Sequence, residues 1–226
     1  NETTHLDIPG NELQFNETLQ VNSTLGNEDE ITLLIAASLV ADTMIPTDIK
    51  KIETNQPMSL NSLPGKPAYI LSVIQKQSEF MKSIPGSDRM SAALLPYTSG
   101  LKPTMLPLVT DPTISLGATS TVHFPPSPQL PGVAPLAHSI LISDLVEIEN
   151  GKNKILVPQP RWEIMGIGWA SDVQLPAWPL AGTTNRMRVG ITFIGSSVSA
   201  NNKLIPALDD SLIEAATHVS HASTDF

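Results

Sequence analysis

The one run in this chain with the spacing of a ligand set lies near its end, where Glu214, His218 and His221 form E-x-x-x-H-x-x-H. On a helix these three positions share a face, and a carboxylate with two imidazoles can hold a divalent metal. A frayed terminal segment does not preorganise ligands, so the run reads as an exposed polar tail and no metal site is expected. Asp209-Asp210 and the pair Glu147/Glu149 suggest acid–base chemistry, because glycoside hydrolysis uses two carboxyls across a cleft. Nothing in the sequence places them so, and solvated surface is the reading. His5, His123 and His138 have no partner close in sequence and read as loop or strand residues rather than bases. Trp162, Trp169 and Trp178 can stack on sugar rings if exposed, or anchor sheet packing if buried. Trp178 sits in a proline loop and the other two alternate within a strand, which favours core or inter-subunit packing.

Motifs with a defined mechanism are missing. There is no G-x-S-x-G elbow, no G-x-x-x-x-G-K-[ST] phosphate loop, no H-E-x-x-H and no EF-hand loop. Gly166-Ile167-Gly168 is too short for a dinucleotide fingerprint and reads as sheet glycine. With no cysteine, thiolate metal sites, disulfides and cysteine nucleophiles are excluded. The expectation is no catalytic, cofactor-binding or metal residue, and no enzyme. Thirteen Lys and Arg against 22 Asp and Glu give a net charge of −9, which argues against binding nucleic acid by neutralising phosphates. No apolar run approaches the 18 or so residues of a membrane span. The chain starts at Asn1 rather than Met, which points to a processed or trimmed product.

The elements that must position these side chains are short and proline-bounded. Only 15% of residues are charged and 4% aromatic, and 20 are proline. The core must therefore come from Leu, Ile, Val, Ala and Met, and the surface from uncharged polar and apolar atoms, which suits a protein covered by neighbours. Residues 1–30 read as an extended acidic arm with one edge strand at Leu19–Asn22. Sequons at Asn1, Asn16 and Asn22 fall in it and read as chance occurrences in an Asn/Thr-rich stretch.

Residues 31–45 read as a buried strand with a bend at Ala36-Ala37, and Pro46–Pro67 as a loop. A strand over 68–74 leads to a helix over 75–83, ended by Pro85-Gly86. The segment 84–112 is proline-rich loop with a short edge strand near Leu106–Val109. Strands follow over 114–124 and 138–149, then a hairpin at Asn150-Gly151 with a short return strand, 154–157. Residues 161–173 and 187–194 are further strands. Met187, Val189, Ile191 and Phe193 line one face of the last, which implies burial against a second sheet. Residues 211–219 read as a short surface helix. The sum is an all-β, antiparallel β-sandwich of jelly-roll type, with about eight short strands and one or two short helices.

The polar arm, the short strands with proline loops, the helix after an early strand and the closing run Trp178-Pro179-Leu180-Ala181-Gly182-Thr183-Thr184-Asn185-Arg186-Met187-Arg188-Val189-Gly190-Ile191-Thr192-Phe193 together resemble a coat protein of a picorna-like small icosahedral RNA virus. The resemblance covers about residues 31–195 and is one of pattern, without a diagnostic motif. It implies an arm (1–30), a jelly-roll domain (31–195) and a C-terminal tail (196–226). It also implies a structural role in a genome-enclosing shell built from copies of the chain and sister coat proteins, with assembly in a host cytoplasm and a host receptor as a further partner. A start at a non-Met residue agrees with polyprotein cleavage. The arm departs from the pattern, because many coat proteins carry a basic arm for RNA and this one is acidic, so strong direct binding of the genome is not expected. The alternatives are a surface adhesin or carbohydrate-binding β-sandwich, favoured by exposed tryptophans, and third an enzyme whose His and carboxylates gather from distant segments.

Overall fold

A computed structural model describes residues 14–76, 87–115, 120–150, 153–175, 186–197 and 215–226. Thirteen strands lie among them: β1 (Glu17–Val21), β2 (Glu30–Val40), β3 (Thr43–Lys51), β4 (Met58–Ser62), β5 (Ala68–Lys76), β6 (Ser87–Pro96), β7 (Thr113–Ser115), β8 (Thr121–His123), β9 (Ala134–Asn150), β10 (Asn153–Ile167), β11 (Asp172–Gln174), β12 (Met187–Ser196) and β13 (His218–Asp225). The fold is nearly all β, and every pairing whose register is described is antiparallel. The chain forms two compact units, and β2, β5 and β6 each contribute residues to both.

The smaller unit takes the described residues of Asn1–Leu25, Leu33–Leu71 and Leu95–Pro103. Its strands run in the order β5-β2-β3, with β1 and β4 paired as a separate ribbon. Leu19 and Val21 from β1, Leu60 from β4, Leu34 and Ala36 from β2 and Ile70 from β5 close one apolar core. The period-two alternation of Leu19 and Val21 expected near the arm is thus the buried face of β1. β2 and β3 meet through Ala41 and Asp42 at φ 47° and 63°, the left-handed pair of a tight hairpin. Their ladder shifts register between Ala36 and Ala37, where the sequence expected a bend.

The larger unit takes Gly26–Thr32, Ser72–Leu94 and Thr104–Phe226, as far as these are described. Its main sheet runs β10-β9-β12-β13-β6-β5, and β11-β8-β7 form a second, three-stranded sheet. Val189, Ile191 and Phe193 of β12, Ile140 and Ile142 of β9 and Val122 of β8 share one core with Phe124, Leu175 and Ala222. Phe193 meets Phe124 and Trp169 edge-on, with ring centroids 5.5 and 5.8 Å apart. Burial of one face of β12 is therefore as the sequence indicates.

Several expected elements come out differently. Segment 46–67 is not all loop: it holds most of β3 and the whole of β4. Pro46 is tolerated because β3 ends its sheet, where a missing N–H breaks no second ladder. The expected loop from 84 holds β6, while Leu106 and Val109 are buried but lie in no strand. The return strand after the Asn150-Gly151 hairpin does not stop at 157. It continues as β10 to Ile167, past Pro158 and Pro160, again in an end strand and with a register shift between Pro160 and Trp162. β9 and β10, of 17 and 15 residues, are not short strands. Of the helix expected over 75–83, Gln75 and Lys76 belong to β5 and the rest lies outside the described residues. Of the one expected over 211–219, His218 and Val219 belong to β13, and 211–214 lie outside the described residues. β1 falls within the segment expected as an arm, and β13 within the one expected as a tail.

Candidate functional site

β13 decides the fate of the E-x-x-x-H-x-x-H run. Strand geometry sends residues an odd number of positions apart to opposite faces. His218 therefore enters the core side and His221 the outer side of the same sheet. Glu214 lies outside the described residues. The shared helical face does not exist, and no metal-holding group of His, Cys, Asp or Glu occurs among the described residues. His218 is 2% exposed, and its Nε2–H donates to the Thr104 carbonyl at 3.0 Å while its Nδ1 faces the Thr217 hydroxyl at 2.7 Å. Burial holds its imidazolium form below the ordinary range, against a smaller opposing pull from the Thr104 carbonyl. His221 Nδ1 meets Thr192 Oγ1 at 3.0 Å. Burial lowers its pKa as well, opposed by Asp88 and by a backbone bond to Ile191.

Trp162 and Trp169 pack against the larger unit's core, and Trp169 Nε1 donates to the Ile194 carbonyl at 2.8 Å. Trp178 lies outside the described residues, as do His5, Asp209 and Asp210. Glu147 pairs with Lys154 at 2.6 Å on an exposed rim, and Glu149 is exposed. Asn16 is exposed, and the Asn22 amide donates to the Gly100 carbonyl at 2.8 Å. Asn1 lies outside the described residues. His138 is a core histidine: its Nδ1–H donates to the Gly168 carbonyl at 2.8 Å and its ring meets Phe124 edge-on.

His123, in contrast, has partners that sequence distance concealed. Its Nδ1 lies 2.8 Å from Asp172 Oδ1 and its Nε2 lies 3.0 Å from Ser115 Oγ. The three residues come from β8, β11 and β7, the three strands of the smaller sheet of this unit. Ser115 is 8 and Asp172 is 49 positions from His123, so only strand pairing brings them together. No local motif could have found the group.

A second candidate surface is the outer face of the main sheet in the larger unit. Alternation turns Leu141 of β9, Met165 and Ile167 of β10, Ile194 of β12, Val219 of β13 and Leu94 of β6 away from the core. Ile167 is 66% exposed and Leu141 is 39% exposed. The charges that alternation places on this face are Glu163, Asp88, the Arg188–Asp225 pair, held by a 2.6 Å bond, and, toward the β9-β10 turn, Glu147, Glu149 and Lys154. Exposed apolar side chains grouped on one face suit contact with another protein surface. No family model matches the chain, and no curated protein is similar to it in sequence. Among the described residues no helix is long and apolar enough to cross a membrane.

Proposed function

We propose that the protein is a structural subunit of an icosahedral viral shell, self-assembling with copies of itself and with sister coat proteins around a genome. The observation that supports this reading is the group of exposed apolar residues Leu141, Met165, Ile167 and Leu94 on the outer sheet face. Low charge reduces the desolvation cost of joining surfaces, and apolar residues at the centre of a contact supply its driving force. The all-β, antiparallel architecture is compatible with a sandwich of jelly-roll type. Return of the C-terminal strand β13 to a place between β12 and β6 is the kind of long-range crossover such wrapping requires. The net charge of −9 keeps strong genome binding out of the proposal. On this reading the protein resides in the virion, assembles in a host cytoplasm and offers outward loops to a receptor.

The carbohydrate-module alternative loses the support of Trp162 and Trp169, which pack against the core. Light scattering and negative-stain microscopy of natively purified material test the proposal. Megadalton shells containing this chain together with sister chains are the expected result. A monomer of about 24 kDa under native conditions overturns it.

A further inference from the structure

The three-stranded sheet β11-β8-β7 carries chemistry that a shell subunit does not require. Its inner face sends Ile114, Val122 and Val173 into the core of the larger unit. Its outer face is therefore fixed as two cross-strand rows. The register Thr113↔His123↔Asp172 makes one row, and Ser115↔Thr121↔Gln174 makes the other. His123 occupies the centre of the first row. It reaches Asp172 beside it at 2.8 Å and Ser115 diagonally at 3.0 Å.

With the His123 ring neutral, the two hydrogen bonds run in one direction. An ionised carboxylate only accepts, so Nδ1 carries the proton given to Asp172, and the neutral ring presents the lone pair of Nε2 to the Ser115 hydroxyl. A hydroxyl on an imidazole base that is itself oriented by a carboxylate is the arrangement of an activated nucleophile. The side chains of His123 and Asp172 are 43% and 56% exposed, and Ser115 is exposed, so a reagent in solvent reaches the hydroxyl. Thr121, directly across from Ser115, supplies a second hydroxyl beside it.

We propose that Ser115, His123 and Asp172 form a surface nucleophile that acts on small activated esters and acyl donors. Ser115 Oγ attacks the carbonyl carbon as its proton passes to His123 Nε2. The tetrahedral adduct collapses, the bond to the leaving oxygen breaks, and His123 returns the proton to that oxygen. Water then attacks the acyl-Ser115 ester, again giving its proton to His123. Acid is released as His123 reprotonates Ser115 Oγ, so one ester and one water become one acid and one alcohol. Asp172 holds the ring in the required tautomer and stabilises the imidazolium that forms.

The test is covalent labelling of the full chain with a fluorophosphonate probe, with adducts mapped by mass spectrometry. Wild type is expected to carry one dominant adduct, on Ser115. Ser115→Ala removes it, and His123→Ala slows labelling about 100-fold, the lower end of general-base effects. Because the chain has no cysteine, Ser115→Cys creates a single thiol. Its alkylation by iodoacetamide is expected to slow when His123→Ala is added, since a neighbouring imidazole promotes the thiolate. Unfolding midpoints measured alongside separate loss of the nucleophile from loss of the fold. Adducts spread over many hydroxyls, or rates in folded protein that do not respond to His123→Ala in either arm, overturn the proposal.

Discussion

Gly166→Ala is the substitution through which the packing of the larger unit is best tested. Gly166 of β10 lies opposite His138 of β9, and both point into the core side of the sheet. A methyl group at 166 would stand 2.3 Å from His138 Cε1 and 2.6 Å from Nε2. The ring must move by about an ångström to restore van der Waals contact. That movement breaks the 2.8 Å bond to the Gly168 carbonyl and disturbs the edge contact with Phe124. A buried hydrogen bond contributes about 1 kcal/mol net, and an aromatic edge pair about 0.5–1.5 kcal/mol. Replacing a strand glycine returns about 0.5–1 kcal/mol of backbone entropy. The expected net loss is about 0.5–2 kcal/mol. All three tryptophans belong to the span of this unit, so urea unfolding followed by tryptophan fluorescence reports on its core. With a slope of about 2 kcal/mol/M the midpoint falls by about 0.25–1 M. In the double variant Gly166→Ala/His138→Ala the new methyl occupies space the ring has left. The double variant is therefore expected to be no less stable than His138→Ala alone, so that it loses less than the sum of the two single losses. A midpoint shift for Gly166→Ala equivalent to less than about 0.5 kcal/mol, or strict additivity in the double variant, would refute the account of this contact.

Further outcomes follow from the same structure. Phe193→Ala removes the fully buried ring at the centre of the larger core and is expected to cost about 3–5 kcal/mol in the same urea assay. His218 and His221 both have their pKa lowered by burial. The unfolded chain therefore binds protons that the folded chain refuses, and stability is full above the ordinary value of 6.5 and falls as pH drops below it. Urea midpoints taken from pH 8 to pH 5 are expected to decline, and the decline to flatten in His218→Gln/His221→Gln; an unchanged slope in that variant counts against the assignment. Leu141→Lys with Ile167→Lys is expected to abolish particles in light scattering while moving the urea midpoint by no more than about 0.5 kcal/mol, as exposed positions permit.

What the sequence determined by itself was the all-β class and the strands whose apolar residues alternate. Met187, Val189, Ile191 and Phe193 were legible because one-sided burial leaves a period of two. The pairing of β9 with β10 was legible because Asn150-Gly151 is a strong hairpin signal in sequence. The Ala41-Asp42 hairpin was not, since its left-handed residues are not glycine and carry no such signal. β3 and the length of β10 were hidden by prolines, which only the end position in a sheet makes tolerable. β13 was hidden by Ser, His and Ala, whose strand state comes from pairing with β12 and β6 rather than from propensity. Every polar grouping that matters was also a tertiary decision. His218 and His221 were separated by the alternation of a strand. Ser115, His123 and Asp172 were joined by the register of three strands, because hydrogen bonds between strands, and not distance along the chain, set which side chains become neighbours.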